Sequence, residues 1–266
     1  MNTRALNYSA ASYSNLLKNQ QHQFAASHAL RVYKSSAIYS FIPKNACSTL
    51  RVSLALANGC IADKTDFNWI HQNNGTFAAD LASLALADYT FVILRCPYAR
   101  LASAYLDKIV DRTTEAWMLY DALDRKLEPA DMTFRVFVKA ITQAKLLHTN
   151  IHWRPQVDYL VYKDYDDYFC LENFSAAQTV IETKAKLEIV DARKLTQHGT
   201  DRFALLNDHN YADCRPDEIS ALKKLGQLPA PNALYDDEIA ALVGKHFKKD
   251  IALYKTLFGT KNLMFS

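Results

Sequence analysis

Glycine is scarce in this chain, six in 266 residues, and none of the six forms a phosphate-binding pattern. Neither G-x-G-x-x-G nor G-x-x-x-x-G-K-[ST] occurs, which excludes the Gly-rich nucleotide loops. The one Gly-Lys pair, Gly244-Lys245, is followed by His246 in a late helical stretch. The five cysteines, Cys47, Cys60, Cys96, Cys170 and Cys214, are odd in number and contain no C-x-x-C. That argues against a disulfide framework or a structural zinc site and for a reduced, cytoplasmic setting. Charge of one sign is also lacking. A net charge of +3 leaves no nucleic-acid footprint, although a local basic pocket for an anion is compatible with it. There is no run of about 18 apolar residues. Residues 1–30 have no apolar core of a signal peptide. No transmembrane segment is therefore expected, which leaves room for peripheral membrane contact. Half the residues are hydrophobic, so the chain can bury a core.

Strand and helix patterns alternate along the chain. Residues 1–35 read as a helical or loose lead-in and 36–266 as a single domain. Strands are expected at 36–42, 89–95, 168–171 and 186–190. Helices are expected at 48–58, 76–87, 97–110, 114–126, 133–146, 175–185 and 216–225, with one long helix over 235–257. The 63–75 and 192–216 segments read as loops. Asn58-Gly59 is a C-cap signal and Pro97 an N1 signal. The 89–95 run, Tyr-Thr-Phe-Val-Ile-Leu-Arg, is continuously apolar, as in a strand buried on both faces. The alternation implies an α/β fold with a central, mostly parallel sheet flanked by helices, whose ligand sites lie at the carboxyl ends of strands.

Two loops sit at such ends. The first is Pro43-Lys44-Asn45-Ala46-Cys47-Ser48-Thr49, between a strand and a helix. Small residues let the backbone approach a tetrahedral anion, Ser48 and Thr49 add hydroxyls and suit a helix start, and Lys44 supplies a mobile cation. An ordinary capped helix after an ordinary strand reads the same way. The second runs from Arg95 through Cys96, Pro97, Arg100, Leu101, Ser103 and Tyr105 to Lys108. Arg95 ends a strand, where its fork can meet a phosphate, and Ser103 shares a helix face with Arg100 and Asp107. An Arg100–Asp107 surface network is the plain alternative.

Together the two segments resemble the cofactor-binding signatures of sulfotransferases that use 3′-phosphoadenosine-5′-phosphosulfate (PAPS), in particular the chondroitin and dermatan carbohydrate sulfotransferases. The first is similar to that family's P-K-x-x-C-S/T loop for the 5′-phosphosulfate. The second carries every fixed letter of R-x-P-x-x-R-L-x-S-x-Y-x-x-K, whose first Arg and Ser bind the 3′-phosphate. The resemblance extends to Phe134-Arg135-Val136-Phe137-Val138, to His152-Trp153-Arg154-Pro155, and to the Tyr168–Glu172 strand, covering roughly residues 36–180. Cys96 departs from it, since the family has Asp, Glu or His before the proline. The family's Golgi anchor is also missing, which fits a soluble bacterial-type member or a trimmed chain.

The resemblance implies a P-loop-like sulfotransferase fold, with PAPS as co-substrate and no metal. Lys44, Asn45, Ala46, Cys47, Ser48, Thr49, Arg95 and Ser103 would bind the cofactor, and Lys44 would also be catalytic. The acceptor would be a carbohydrate hydroxyl. A histidine suits the general base, because its ordinary pKa lies near neutrality. His71, between the two motifs, and His152, in the H-W-x-P element, both qualify. Trp69, Trp153 and Tyr159 could stack on sugar faces, although aromatics usually belong to a core, and Arg154 and Lys163 could meet an anionic glycan, although a solvated loop is the plainer reading. Arg193, Lys194 and Arg202 are candidates to close over the nucleotide. A non-carbohydrate hydroxyl acceptor, a nucleotide-binding protein without turnover, and a kinase-like enzyme are the competing readings. The last of these lacks both a lysine after glycine and a magnesium-binding pair.

Overall fold

The computed structural model describes residues 3–9, 15–143, 145–192 and 202–265. In chain order the described elements are α1 (Gln20–Ser27), β1 (Ala29–Val32), β2 (Ala37–Ser40), α2 (Cys47–Ala57), α3 (Leu81–Ala85), β3 (Thr90–Leu94), α4 (Pro97–Ala104), α5 (Thr114–Ala122), α6 (Phe134–Ile141), β4 (Asp167–Cys170), α7 (Phe174–Lys184), β5 (Ala204–Leu206), α8 (Pro216–Lys224), β6 (Gln227–Pro229), α9 (Asp237–His246) and α10 (Lys248–Phe258). They form two compact units. The first comprises residues 1–95 and 156–197, the second residues 96–155 and 198–266.

The first unit is built on a four-stranded sheet in the order β1-β2-β3-β4. β1 runs antiparallel to β2, and β2, β3 and β4 are parallel, with Ile38 opposite Thr90 and Phe91 opposite Asp167. β2 and β3 are buried at every position, as the continuous apolar run predicts for central parallel strands. On one face Tyr39 and Phe91 stack with centroids 5.1 Å apart, over a core that takes in Leu50, Val52 and Leu54 of α2 and Ala177 and Ile181 of α7. On the other face the Ser40 hydroxyl meets the Tyr165 hydroxyl at 2.7 Å, both buried. Each fully buried aliphatic or aromatic side chain contributes about 1.5–3 kcal/mol, so this sheet is a rigid base for the loops at its carboxyl edge.

Three expectations change in this unit. A strand, β1, lies inside the 1–35 lead-in and pairs with β2. The helix expected over 76–87 is only Leu81–Ala85, because the Asp80 carboxylate caps the Ser83 N–H and starts it late. Residues 186–190 form no strand. Lys186 takes a left-handed φ of 52°, and the N–H groups of Ile189 and Val190 donate to side chains, Glu182 Oε1 and Ser53 Oγ, in place of a ladder. Within the 63–75 loop, Lys64–His71 winds into 3₁₀ turns.

The second unit packs α4, α5, α6 and the C-terminal helices around Tyr105, Phe134, Phe137, Trp153 and Tyr235, all buried. β5 and β6 add a parallel pair. α4 continues into a π-helical turn over Tyr105–Ile109. The long helix expected over 235–257 breaks in two at Phe247, whose φ and ψ of −103° and 21° leave the helical range. Gly244 lies at a close approach, where a Cβ would sit 3.2 Å from the Tyr98 hydroxyl. Among the described residues no helix is long and apolar enough to cross a membrane.

Arg135 ties α6 to the start of α9. It donates to Asp213 at 2.8 and 2.9 Å, to Asp236 at 2.6 Å and to Glu238 at 2.7 Å. Its hydrogen bonds hold the Asp213 and Asp236 carboxyls below the usual range, and Lys139 does the same for Glu238. A depressed carboxylate stabilises the fold above its ordinary pKa, and that contribution is lost as pH falls through the lowered value. Arg135→Ala should therefore lower Tm by about 2–4 °C at pH 7. The deficit should shrink as melts are repeated at pH values falling below the ordinary carboxylate range.

Candidate active site

The loop after β2 carries two residues in a costly backbone form. Lys44 and Ala46 both have left-handed φ values, 72° and 56°, with Asn45 between them. Each such residue without glycine costs about 1–2 kcal/mol. Ala46 is the N-cap of α2, and it makes no side-chain capping bond. Ser48 and Thr49 thus lie in the first turn and cap nothing. The helix starts at Cys47, and its ladder begins with Leu50 N–H to Ala46 O at 3.1 Å. The first N–H groups of an 11-residue helix have no intrahelical acceptor, and the N-cap Ala46 side chain supplies none. Partial positive charge collects at that end, with the Lys44 side chain on the same loop. This donor set suits a tetrahedral anion.

Asn45 holds the loop. Its side chain is fully buried, and Nδ2 donates to Ile93 O at 2.9 Å and to Gln156 Oε1 at 2.6 Å. Oδ1 is buried with no partner. Arg95 closes the arrangement from the end of β3, where Nη1 donates to Lys44 O at 3.0 Å. The structure thus places the Arg95 guanidinium against the Lys44 backbone.

His71 is exposed at the end of the Lys64–His71 turns. The carbonyl before it, Ile70 O, accepts from Nη2 of Arg51, a buried arginine of α2 that also lies 5.1 Å over the Phe41 ring. The helix that follows the anion loop therefore holds the backbone that presents His71.

Ser103 and His152 belong to the second unit. Ser103 is half-buried on α4. Arg100, read as a helix-face neighbour of Asp107, is 2% exposed. It donates to Arg154 O at 2.8 Å and Ile151 O at 3.2 Å, the carbonyls that bracket His152 and Trp153. Arg100 is thereby buried and not on the surface, and Asp107 also lies 3.4 Å from Lys108. His152 Nδ1 lies 3.0 Å from Asn150 Oδ1 and 3.5 Å from Glu115 Oε1. Two acceptors at Nδ1 place the ring proton there and make Nε2 the basic nitrogen. Burial alone would raise the Glu115 carboxyl. The Thr113 hydroxyl at 2.5 Å, Lys108 and His152 outweigh burial and hold it below the usual range, so it faces the imidazole as an anion.

Several readings need correction. Trp153 is 1% exposed, with Nε1 donating to Leu146 O at 3.1 Å, and Tyr159 is fully buried, so neither can stack on a sugar. Trp69 is half-buried and packs on Phe77 at 5.9 Å. Arg154 donates to His148 O at 3.2 Å. Cys96 is buried and its Sγ accepts from Met264 N–H at 3.4 Å, which makes the departure from the family pattern a packing choice. Arg202 lies 4.8 Å over the Phe203 ring. Arg193 and Lys194 lie outside the described residues. Sequence reasoning missed Gln156, Arg51 and Glu115. Gln156 directly follows the H-W-x-P element, and that adjacency was its only signal.

Comparison with known proteins agrees with this geometry. Carbohydrate sulfotransferase 14 of Danio rerio is 27% identical over 164 residues, 53% of this chain and 39% of that protein. The chain thus matches well under half the length of that relative. No solved structure matches. The sequence model described as "Sulfotransferase family" matches residues 27–255, nearly the whole of both units. The chain belongs to the sulfotransferase family, with the α/β, P-loop-like fold of that family.

Proposed function

We propose that this sulfotransferase moves a sulfuryl group from PAPS to a carbohydrate hydroxyl by in-line displacement. The observation that carries the reading is the uncapped N-terminus of α2 joined to Arg95 through the Lys44 carbonyl. One loop then offers donors for a phosphosulfate, and the neighbouring strand end offers a guanidinium for a second phosphate. Support for the carbohydrate acceptor comes from the name of the Danio rerio relative.

The residues present fit the co-substrate. The first N–H groups of α2, with Ser48 and Thr49, would hold the 5′-phosphosulfate, while Arg95 would hold the 3′-phosphate. When bound, PAPS supplies an activated sulfuryl group and adenosine 3′,5′-bisphosphate as leaving group. Lys44 stabilises the charge that develops on the oxygen between phosphorus and sulfur. Because that charge appears in the transition state, Lys44 acts on rate more than on affinity.

A histidine takes the proton from the acceptor hydroxyl. His71 stands on the stretch between the two cofactor motifs, in the unit that carries Lys44. One observation favours a second reading, His152, whose ring is oriented by Asn150 and Glu115 in the manner of a base with its supporting acid.

These assignments have separate expected outcomes. Lys44→Ala should lower kcat by about 10²–10³-fold with a much smaller change in cofactor Kd. Equal losses in both would remove its transition-state role. Arg95→Ala should weaken adenosine 3′,5′-bisphosphate binding by about 10–100-fold in calorimetry, and an unchanged Kd would refute the assignment. The base is neutral when active, so kcat should rise with pH through the histidine range, and His→Ala at the true base should abolish that limb. If the base is His152, Glu115→Gln should move the limb to lower pH, because removing the carboxylate charge no longer favours the imidazolium. Labelled PAPS with a glycan panel tests the whole reading. Absence of transfer to any glycan, with transfer to a small non-carbohydrate alcohol, would replace the acceptor class.

A further inference from the structure

Arg95 stands one residue past the end of β3. The ladder to β4 stops at the Leu94–Cys170 pair, and Pro97 then starts α4. The Arg95 backbone therefore has no strand beside it, yet both of its polar groups are satisfied by one side chain. Gln156 Oε1 accepts the Arg95 N–H at 3.0 Å, and Gln156 Nε2 donates to Arg95 O at 2.9 Å. A single amide thus performs the two bonds that a neighbouring strand would supply. The same Oε1 also accepts Nδ2 of Asn45 at 2.6 Å, and Gln156 is only 2% exposed.

These bonds join three points of the candidate site. Asn45 sits between the two left-handed residues of the anion loop. Arg95 carries the guanidinium assigned to the 3′-phosphate. Gln156 is bonded to both, so the separation between the loop and the base of the Arg95 side chain is set by one buried amide. The Arg95 Nη1 bond to Lys44 O also links loop and arginine, but it is made by the tip of a flexible side chain and is only partly buried. Buried, doubly bonded amides have few alternative arrangements, because each broken bond leaves an unsatisfied polar group costing about 1–3 kcal/mol.

From this we infer that Gln156 is a positioning residue, which sets the span between the 5′- and 3′-phosphate subsites and so confers preference for a 3′-phosphorylated nucleotide. The inference rests on the proposed PAPS reading. It assigns a function to a residue that touches neither phosphate.

The test is a ratio of affinities, which general loss of stability does not move. Binding of adenosine 3′,5′-bisphosphate and of adenosine 5′-monophosphate is measured by calorimetry on the full chain, for wild type, Gln156→Ala, Gln156→Leu and Arg95→Ala. Gln156→Leu keeps most of the volume and serves if Gln156→Ala does not fold. Wild type should prefer the bisphosphate by about 10–100-fold. In a folded Gln156 variant that preference should fall to within about threefold of unity, and adding Arg95→Ala should cause no further fall, because the two residues act as one unit. A folded Gln156 variant that keeps the wild-type preference overturns the inference and leaves the PAPS reading standing. A wild type with no preference overturns the PAPS reading itself and the inference with it.

Discussion

The candidate site depends on one constraint: a loop held in a costly backbone form must be pinned where the sheet ends. Asn45 does this from within the loop. Its buried amide reaches Ile93 O on β3 and Oε1 of Gln156, and Gln156 grips both backbone groups of Arg95. Left-handed Lys44 and Ala46 are sustained by those bonds and not by glycine, which explains how a chain with six glycines can still build an anion loop. Pinning by side chains has a further consequence. Bonds within the protein already hold the loop's backbone, and in the proposed reading its donors would need little reorganisation to meet developing charge.

The two candidate bases are presented by the same device in separate units. Arg51 in the first unit holds Ile70 O, next to His71. Arg100 in the second holds Ile151 O and Arg154 O, on either side of His152. In each case a buried guanidinium satisfies carbonyls that an irregular segment would otherwise leave without partners. Arg100, which reads in the sequence as part of a surface network, is buried and serves the backbone here. Motif letters alone do not separate an arginine that meets the ligand from one that orients the residue that does.

Much of the fold was legible because the sheet of the first unit is buried on both faces. Continuous apolar runs marked β2 and β3 to within one or two residues, and Asn58-Gly59 and Pro97 marked helix ends. Short elements were less legible. β1 is four residues in a polar surrounding, and its strand character comes from pairing with β2. Leu187 is buried in the core and gave 186–190 a strand-like look, but the segment's N–H groups go to side chains. The break at Phe247 has no composition signal, since both flanking segments keep helical spacing.

The sequence alone determined the fold class and, through two motifs, the sulfotransferase family. Those follow from local periodicity and from residue types at fixed spacing. The tertiary structure decided which polar side chains serve the backbone and which face outward. Gln156 and Arg95 are 61 residues apart, Arg51 and Ile70 are 19, and Arg100 and Ile151 are 51. Buried hydrogen bonds between such positions leave no periodic trace, because a polar residue satisfied by a distant carbonyl looks in sequence like one satisfied by water. Burial of Trp153 and Tyr159 was likewise set by neighbours far along the chain, so their aromatic character alone could not tell core from ligand surface.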